Sequence, residues 1–156
     1  MTLSQFFQSC SILPGSIKSH KSKEDYLCEF KQLFNSQEAR NTSNVLYAFV
    51  CEKEIPRVMG KSNIIYIGQT VKTLRDRYQS YHRYYCSDYN WAFYSDVIKR
   101  YGAVSLAYLI IDTPQSLKEA ESDLLRNYYN LHRESPPKNS QGYGSWGGAI
   151  VAIKEP

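Results

Sequence analysis

A chain of 156 residues with a formal net charge of +4 and a pI near 8.8 is the size of one domain, long enough to bury about two-thirds of its unfolded surface around a single core. Its 42% hydrophobic and 22% charged residues are those of a soluble globule, and no apolar run approaches the roughly 18 residues of a membrane span. The opening residues have neither the basic start nor the sustained apolar core of a signal peptide, so a cytoplasmic location is expected. The four cysteines, Cys10, Cys28, Cys51 and Cys86, lie far apart with no Cys-x-x-Cys pair. That pattern argues against a zinc knuckle or redox motif and for reduced thiols, with a metal site gathered from distant Cys and His positions as the remote alternative.

Residues 1–43 read as a helical prefix. Ser22-Lys23-Glu24-Asp25 resembles a capping box with Asp in place of Glu, and Tyr26, Leu27, Phe30, Leu33 and Phe34 follow as an apolar stripe at helical spacing. The helix either covers one side of the core or, through Lys18, His20, Lys21 and Lys23 ahead of it, touches nucleic acid; core cover is the favoured reading. Val45 to Cys51 is a continuous apolar strand, with Val45, Tyr47, Phe49 and Cys51 on one face and Leu46, Ala48 and Val50 on the other. Segment 52–62, holding Pro56 and Gly60, is expected as the loop returning the chain into a second strand. That strand is Ile64, Ile65, Tyr66 and Ile67, and Gly68 is expected to end it. Joined in this way the two strands pair antiparallel most simply, which puts Tyr47 and Tyr66 on neighbouring strands.

Thr70 or Thr73 can cap the helix that follows, in which Leu74, Tyr78, Tyr81 and Tyr85 recur on one face with Arg75, Arg77 and His82 at its margins. Ser87 or Asp88 opens another helix, through Trp91, Tyr94, Val97 and Ile98 to a stop at Gly102. Val104 to Ile111 is a third strand. Ser116-Leu117-Lys118-Glu119 reads as a capping box for a last helix reaching Leu131. From Ser135 the chain is rich in Ser, Pro, Gly and Asn, and Ala149 to Ile153 could add a short edge strand. The expected architecture is α/β of the α+β type: one compact domain with a small, mainly antiparallel three-stranded sheet flanked by helices. It divides into the prefix 1–43, a core 44–140 and a tail 141–156.

Charge is concentrated rather than spread. Residues 61–83 hold Lys61, Lys72, Arg75, Arg77 and Arg83 against the single acid Asp76, a local +4 that equals the charge of the whole chain. A strand, a glycine and a helix fringed with fixed cations make a seat for a phosphate. On the last helix, Ala120, Leu124, Leu125, Tyr128 and Leu131 fall in one inward arc with Leu117, and Glu121 falls inside that arc while Glu119 and Asp123 point outward. A carboxylate on a packing face must meet a cation, a metal or hydrogen-bond donors, because leaving it unpaired there costs several kcal/mol. A salt bridge to an arginine such as Arg77 and a metal ligand are the two ways out, and helix geometry alone does not choose between Arg75 and Arg77. The rings of Tyr84, Tyr85 and Tyr89 beside Arg83 could stack bases, although core packing explains them equally well.

Tyr66-Ile67-Gly68 preceded by Val45-Leu46-Tyr47, with Leu74-x-x-Arg77 on the next helix and Glu121 on a later one, resembles the GIY-YIG nuclease domain. Val45 and Leu46 replace the Gly and Ile of the first tripeptide. The gap from Tyr47 to Tyr66 and the phrase Arg77-Tyr78-Gln79-Ser80-Tyr81 are most similar to the small type II restriction enzymes of that family. The resemblance implies that Glu121, followed by Leu124 and Leu125, holds one Mg²⁺, for which Mn²⁺ substitutes. It implies that Arg77 stabilises the phosphate, that Tyr47 activates or orients the attacking water, and that Tyr66 bonds the water or phosphate beside it. A phenol is a poor base at pH 7 unless cations lower it, and Lys72, Arg77 or the metal could do so. His82 lies one position beyond the family histidine, Asn139 resembles the asparagine closing the motif behind a proline, and Lys72, Arg75 and Arg83 are left as backbone contacts. The function implied is a Mg²⁺-dependent DNA endonuclease of restriction type, with DNA as partner, no nucleotide cofactor and no membrane association; cutting both strands takes a homodimer, a second visit or two bound copies, and a restriction enzyme favours the first. The alternatives are a structure-specific or nicking relative from repair or a mobile element, and a catalytically silent nucleic-acid-binding module.

Overall fold

The computed structural model describes residues 1–79 and 85–139. Four strands, β1 (Ser11–Ile12), β2 (Val45–Pro56), β3 (Lys61–Thr70) and β4 (Val104–Ile110), form one sheet in the order β1-β4-β2-β3, with every neighbouring pair antiparallel. The chain is thus an α+β protein, with one strand more than the three expected. The extra strand comes from the prefix, where Ser11 pairs with Tyr108 and Ile12 with Ala107. Two residues are too few to show the alternation by which a strand is read from sequence.

The β2–β3 hairpin is longer than its sequence suggested. Pairing continues to Pro56 and Lys61, so the expected loop 52–62 shrinks to residues 57–60, closed by Arg57 N donating to Gly60 O at 2.9 Å with Gly60 at φ +68. Register shifts between Phe49 and Val50, and between Val50 and Ile55, break the alternation there and hide the pairing. Gly68 does not end β3, which runs through it to Thr70.

Six helices surround the sheet among the described residues: α1 (Leu3–Ser9), α2 (Lys23–Phe34), α3 (Gln37–Asn41), α4 (Leu74–Gln79), α5 (Asp88–Tyr101) and α6 (Pro114–His132). Ser22 caps α2 by accepting from Asp25 N, Ser87 caps α5, and Gly102 at φ 89 ends it. The start of α6 differs from the expected box at Ser116. Thr113 is the cap, its Oγ1 accepting from Ser116 N at 3.2 Å, and Pro114 occupies the first turn, where a missing N–H has no cost. The part of the expected helix beyond Gln79 reaches residues 80–84, and the expected strand Ala149 to Ile153 falls in residues 140–156; both lie outside the described residues.

The two faces of β2 serve two cores, as the strand's alternation dictates. Val45, Tyr47, Phe49 and Cys51 pack with Tyr26, Phe30 and Phe34 of α2, Leu74 and Tyr78 of α4, and Tyr94, Val97 and Ile98 of α5. Leu46 and Ala48 pack with Leu3 and Phe6 of α1 and with Leu117, Leu124, Leu125 and Tyr128 of α6. Leu131, expected to face inward, is 53% exposed. The last turn of α6 runs past the sheet to hold the hairpin turn, with Met59 N donating to His132 O and Val58 N to Glu134 Oε1. Among the described residues no helix is long and apolar enough to cross a membrane.

Candidate active site

Antiparallel register sets the starting geometry. Tyr47 lies opposite Gly68 and Phe49 opposite Tyr66, so all four occupy one face of the β2–β3 pair and the two tyrosines are diagonal neighbours, their ring centroids 6.0 Å apart. Both rings lean over Gly68. A Cβ there would stand 2.5 Å from Tyr66 Cε1 and 2.9 Å from Tyr47 Cζ and Oη, so only a residue without a side chain lets the two phenols converge.

Helix α4 crosses this face. Thr73 Oγ1 accepts from Asp76 N and its carbonyl from Arg77 N, Leu74 is fully buried, and Leu74 N reaches Thr42 O at 3.3 Å. Tyr78 is thereby turned inward: its Oη donates to Tyr47 Oη at 3.0 Å, and its ring stacks on Phe34 at 4.1 Å. Arg77, half-buried beside it, acts on Tyr47 and Tyr66 through its charge and through side-chain hydrogen bonding. Glu121 arrives from α6, in the other layer, half-buried and near enough that its charge acts on Tyr66 while that of Arg77 acts on it. Tyr47, Tyr66, Arg77 and Glu121, distant in sequence, therefore occupy one neighbourhood.

Burial governs the protonation states here. It raises the Tyr47 phenol well above its ordinary range; neighbouring Tyr66 raises it further, and the hydrogen bond from Tyr78 and the charge of Arg77 offset only part of this. Tyr66 is raised first by burial and then by Glu121, with Arg77 and Tyr47 pulling the other way. The Glu121 carboxyl is pushed up to about 7 by burial, against the lowering influence of Arg77 and then Lys118. Of the cations expected to bring Tyr47 toward the range of a base, Arg77 does not do so by itself, because desolvation outweighs it.

The other expected residues divide into three groups. Lys72 joins Arg77 in a cleft of about 380 Å³ between the end of β3, α4 and the first turn of α6, lined also by Gln69, Thr70, Val71, Pro114 and Lys118. Arg75 faces a different cleft. His82 and Arg83 lie outside the described residues. Asn139 is buried and its amide is engaged at both ends, Oδ1 accepting from Ile67 N at 2.9 Å and Nδ2 donating to Ile67 O at 2.8 Å. It clamps the edge of β3, and Lys138 N extends the clamp to Ile65 O.

Protein-family models, curated proteins and solved structures give no match to this chain. The site must be read from its own chemistry.

Three residues that matter to that chemistry were not expected as site residues. Tyr78 looks like one more core tyrosine in an amphipathic helix. Lys118 lies three positions before Glu121, a spacing that puts both on one helix face and could have flagged it. Gly68 reads as a strand terminator unless the partner strand's tyrosine is known to face it. Among the described residues no three His, Cys, Asp or Glu side chains gather into a metal cage. One half-buried carboxylate raised to about 7 and flanked by cations fits a hard divalent ion that keeps several waters and completes its shell with substrate phosphate oxygens.

Proposed function

We propose that this chain is a metal-dependent DNA endonuclease of the GIY-YIG kind, hydrolysing phosphodiester bonds and most like the restriction enzymes of that family. The observation that carries the reading is the meeting of two protonated phenols, a guanidinium and a desolvated carboxylate beside a cleft holding Lys72, Arg77 and Lys118. An antiparallel sheet of four strands supports the fold assignment without being peculiar to it.

The scissile phosphate enters the basic cleft, where the planar fork of Arg77 meets the non-bridging oxygens and holds their growing charge. Lys72 and Lys118 add fixed positive charge at its sides. The phenols act as oriented hydrogen-bonding groups instead of phenolate bases. Tyr78 donates to Tyr47, which leaves the Tyr47 proton to point toward Tyr66, the only one of the three with appreciable exposure. Tyr66 therefore stands closest to an attacking water and orients it. Glu121 would hold the divalent cation, whose Lewis acidity supplies stabilisation of the departing oxygen. Asn139 keeps β3, and with it Tyr66, in place. One site cuts one strand, so a duplex break takes a dimer, a second visit or two bound copies, of which a restriction enzyme favours the first.

The test is incubation of supercoiled plasmid with the whole chain in Mg²⁺, followed by sequencing of the ends, alongside Glu121→Gln. Wild type is expected to cut at discrete sites, and the variant to lose at least about a hundredfold in rate while still binding duplex. Scattered nicks would move the assignment to a repair-like nuclease. Intact plasmid in both Mg²⁺ and Mn²⁺, with DNA still bound, would replace the enzyme by a binding module.

A further inference from the structure

Arg75 precedes Arg77 by two residues, which on a helix turns its side chain about 200° away. It lines a second cleft, of about 320 Å³, together with Lys31, Phe34, Asn35, Gln79 and Tyr85. Arg75 Nε is buried there and has no hydrogen-bond partner among the described residues. An enclosed donor without an acceptor costs about 1–3 kcal/mol, which an oxygen brought into the cleft would recover. The other polar groups among the described lining residues are an ammonium from Lys31, the amides of Asn35 and Gln79 and the hydroxyl of Tyr85, with no carboxylate among them. Phe34 and Tyr85 form an apolar wall that is already fixed, Phe34 stacked on Tyr78 and Tyr85 on Phe30 at 4.8 Å. The C-terminus of α2, capped by Asn35, brings roughly half a negative charge to the same place. Two full positive charges outweigh it.

Two anion-seeking clefts therefore flank α4, on opposite sides of a helix about 10–12 Å across with its side chains. Such a pair suits a ligand that repeats its negative charge along its length, and an isolated phosphate would use only one. We propose that the Lys31–Arg75 cleft seats a backbone phosphate of a nucleic acid, another phosphate of which lies in the Arg77 cleft. This makes α2 of the prefix part of the polynucleotide-binding surface as well as of the core. The proposal shares with the nuclease reading the premise that the partner is a polynucleotide, and it does not need that polynucleotide to be cut.

The experiment measures binding of a fluorescein-labelled 20-base-pair duplex to the whole chain in EDTA, across a series of salt concentrations. Lys31→Gln, Arg75→Gln and the control Lys99→Gln, an exposed lysine on α5, are compared with wild type, and inorganic phosphate is titrated separately. Lys31→Gln and Arg75→Gln are each expected to weaken binding by about fivefold or more and to lower the salt slope by about one, with Lys99→Gln unchanged. Wild-type affinity in both site variants would overturn the proposal, as would an equal loss in Lys99→Gln or saturable binding of inorganic phosphate without binding of duplex. Lys31 is exposed, so its variant remains informative if Arg75→Gln fails to fold. Intact plasmid in Mg²⁺ combined with duplex binding that still depends on Lys31 and Arg75 would reject the nuclease and leave this site standing.

Discussion

At the scale of single residues, Gly68 has the least freedom to vary. A methyl group there would overlap Tyr66 and Tyr47 at 2.5 and 2.9 Å, and Tyr47 cannot yield easily, since it is fully buried and held by Tyr78. Gly68→Ala is expected to destabilise the fold by about 1–3 kcal/mol, read as a lower urea midpoint with an unchanged m-value. It should also lower cleavage by more than the loss of folded protein explains, because the phenols must part to admit the methyl.

Glu121 makes a pH-dependent prediction. Its folded-state value of about 7 is above the usual carboxylate range, so between roughly pH 4.5 and pH 7 the folded chain holds a proton that the unfolded chain has lost. Stability falls as pH rises through that window, by on the order of 3 kcal/mol. Urea titrations in EDTA should show wild type weakening from pH 5 to pH 8 relative to Glu121→Gln; parallel curves for the two would remove the buried carboxylate from the account. Helical phase alone marked Glu121 as an acid on a packing face. The direction of the Tyr47 shift was not legible, because it depends on how completely three helices exclude water from a strand, and no local pattern records that.

Among the elements, the segment after α6 is held to β3 by more than chain continuity. Asn139 pairs with both backbone groups of Ile67, Lys138 N pairs with Ile65 O, and the Lys138 ammonium meets Asn90 Oδ1 and lies over the rings of Tyr89 and Phe93 at 4.8 and 4.7 Å. Asn139→Ala leaves a buried N–H and C=O without partners and is expected to cost about 2–4 kcal/mol. Hydrogen exchange at Ile67 should accelerate in that variant; unchanged protection would show that the clamp is dispensable. The residue type and its place behind Pro136 and Pro137 drew attention to Asn139, but a catalytic amide and a structural one are the same letters, and only the partner distinguishes them. A similar ambiguity moved the start of α6. Thr113 and Ser116 are both good caps, and Pro114 tips the choice to the earlier one. The cap of α2 had no such rival and stood where the residues put it, and of the two candidates for α5 it is Ser87 that caps.

For the whole molecule, the prefix is part of the building. Tyr26, Phe30, Leu33 and Phe34 are at most 4% exposed and pack against Phe49, Tyr78, Tyr85 and Tyr94, while Ile17 bridges to Val104. A chain beginning at residue 44 is expected to lose cooperative unfolding and near-ultraviolet circular dichroism, since it would expose an aromatic face meant for α2. A cooperative melt from that truncated chain would contradict this. The apolar stripe of α2 announced that the helix packs. Its pairing with α4 across the sheet face, and the cleft this creates, depend on contacts between segments far apart in the chain, which no local period encodes.

The strand order also fixes a sequence of assembly. The β2–β3 hairpin joins neighbours in the chain and can close as soon as both strands are made, whereas the second edge of β2 waits for β4. Glu121 follows later still. A nascent chain emerging from the ribosome would thus display its tyrosines and arginine while the acid is still untranslated, so on the proposed reading cutting competence is acquired only near the end of synthesis.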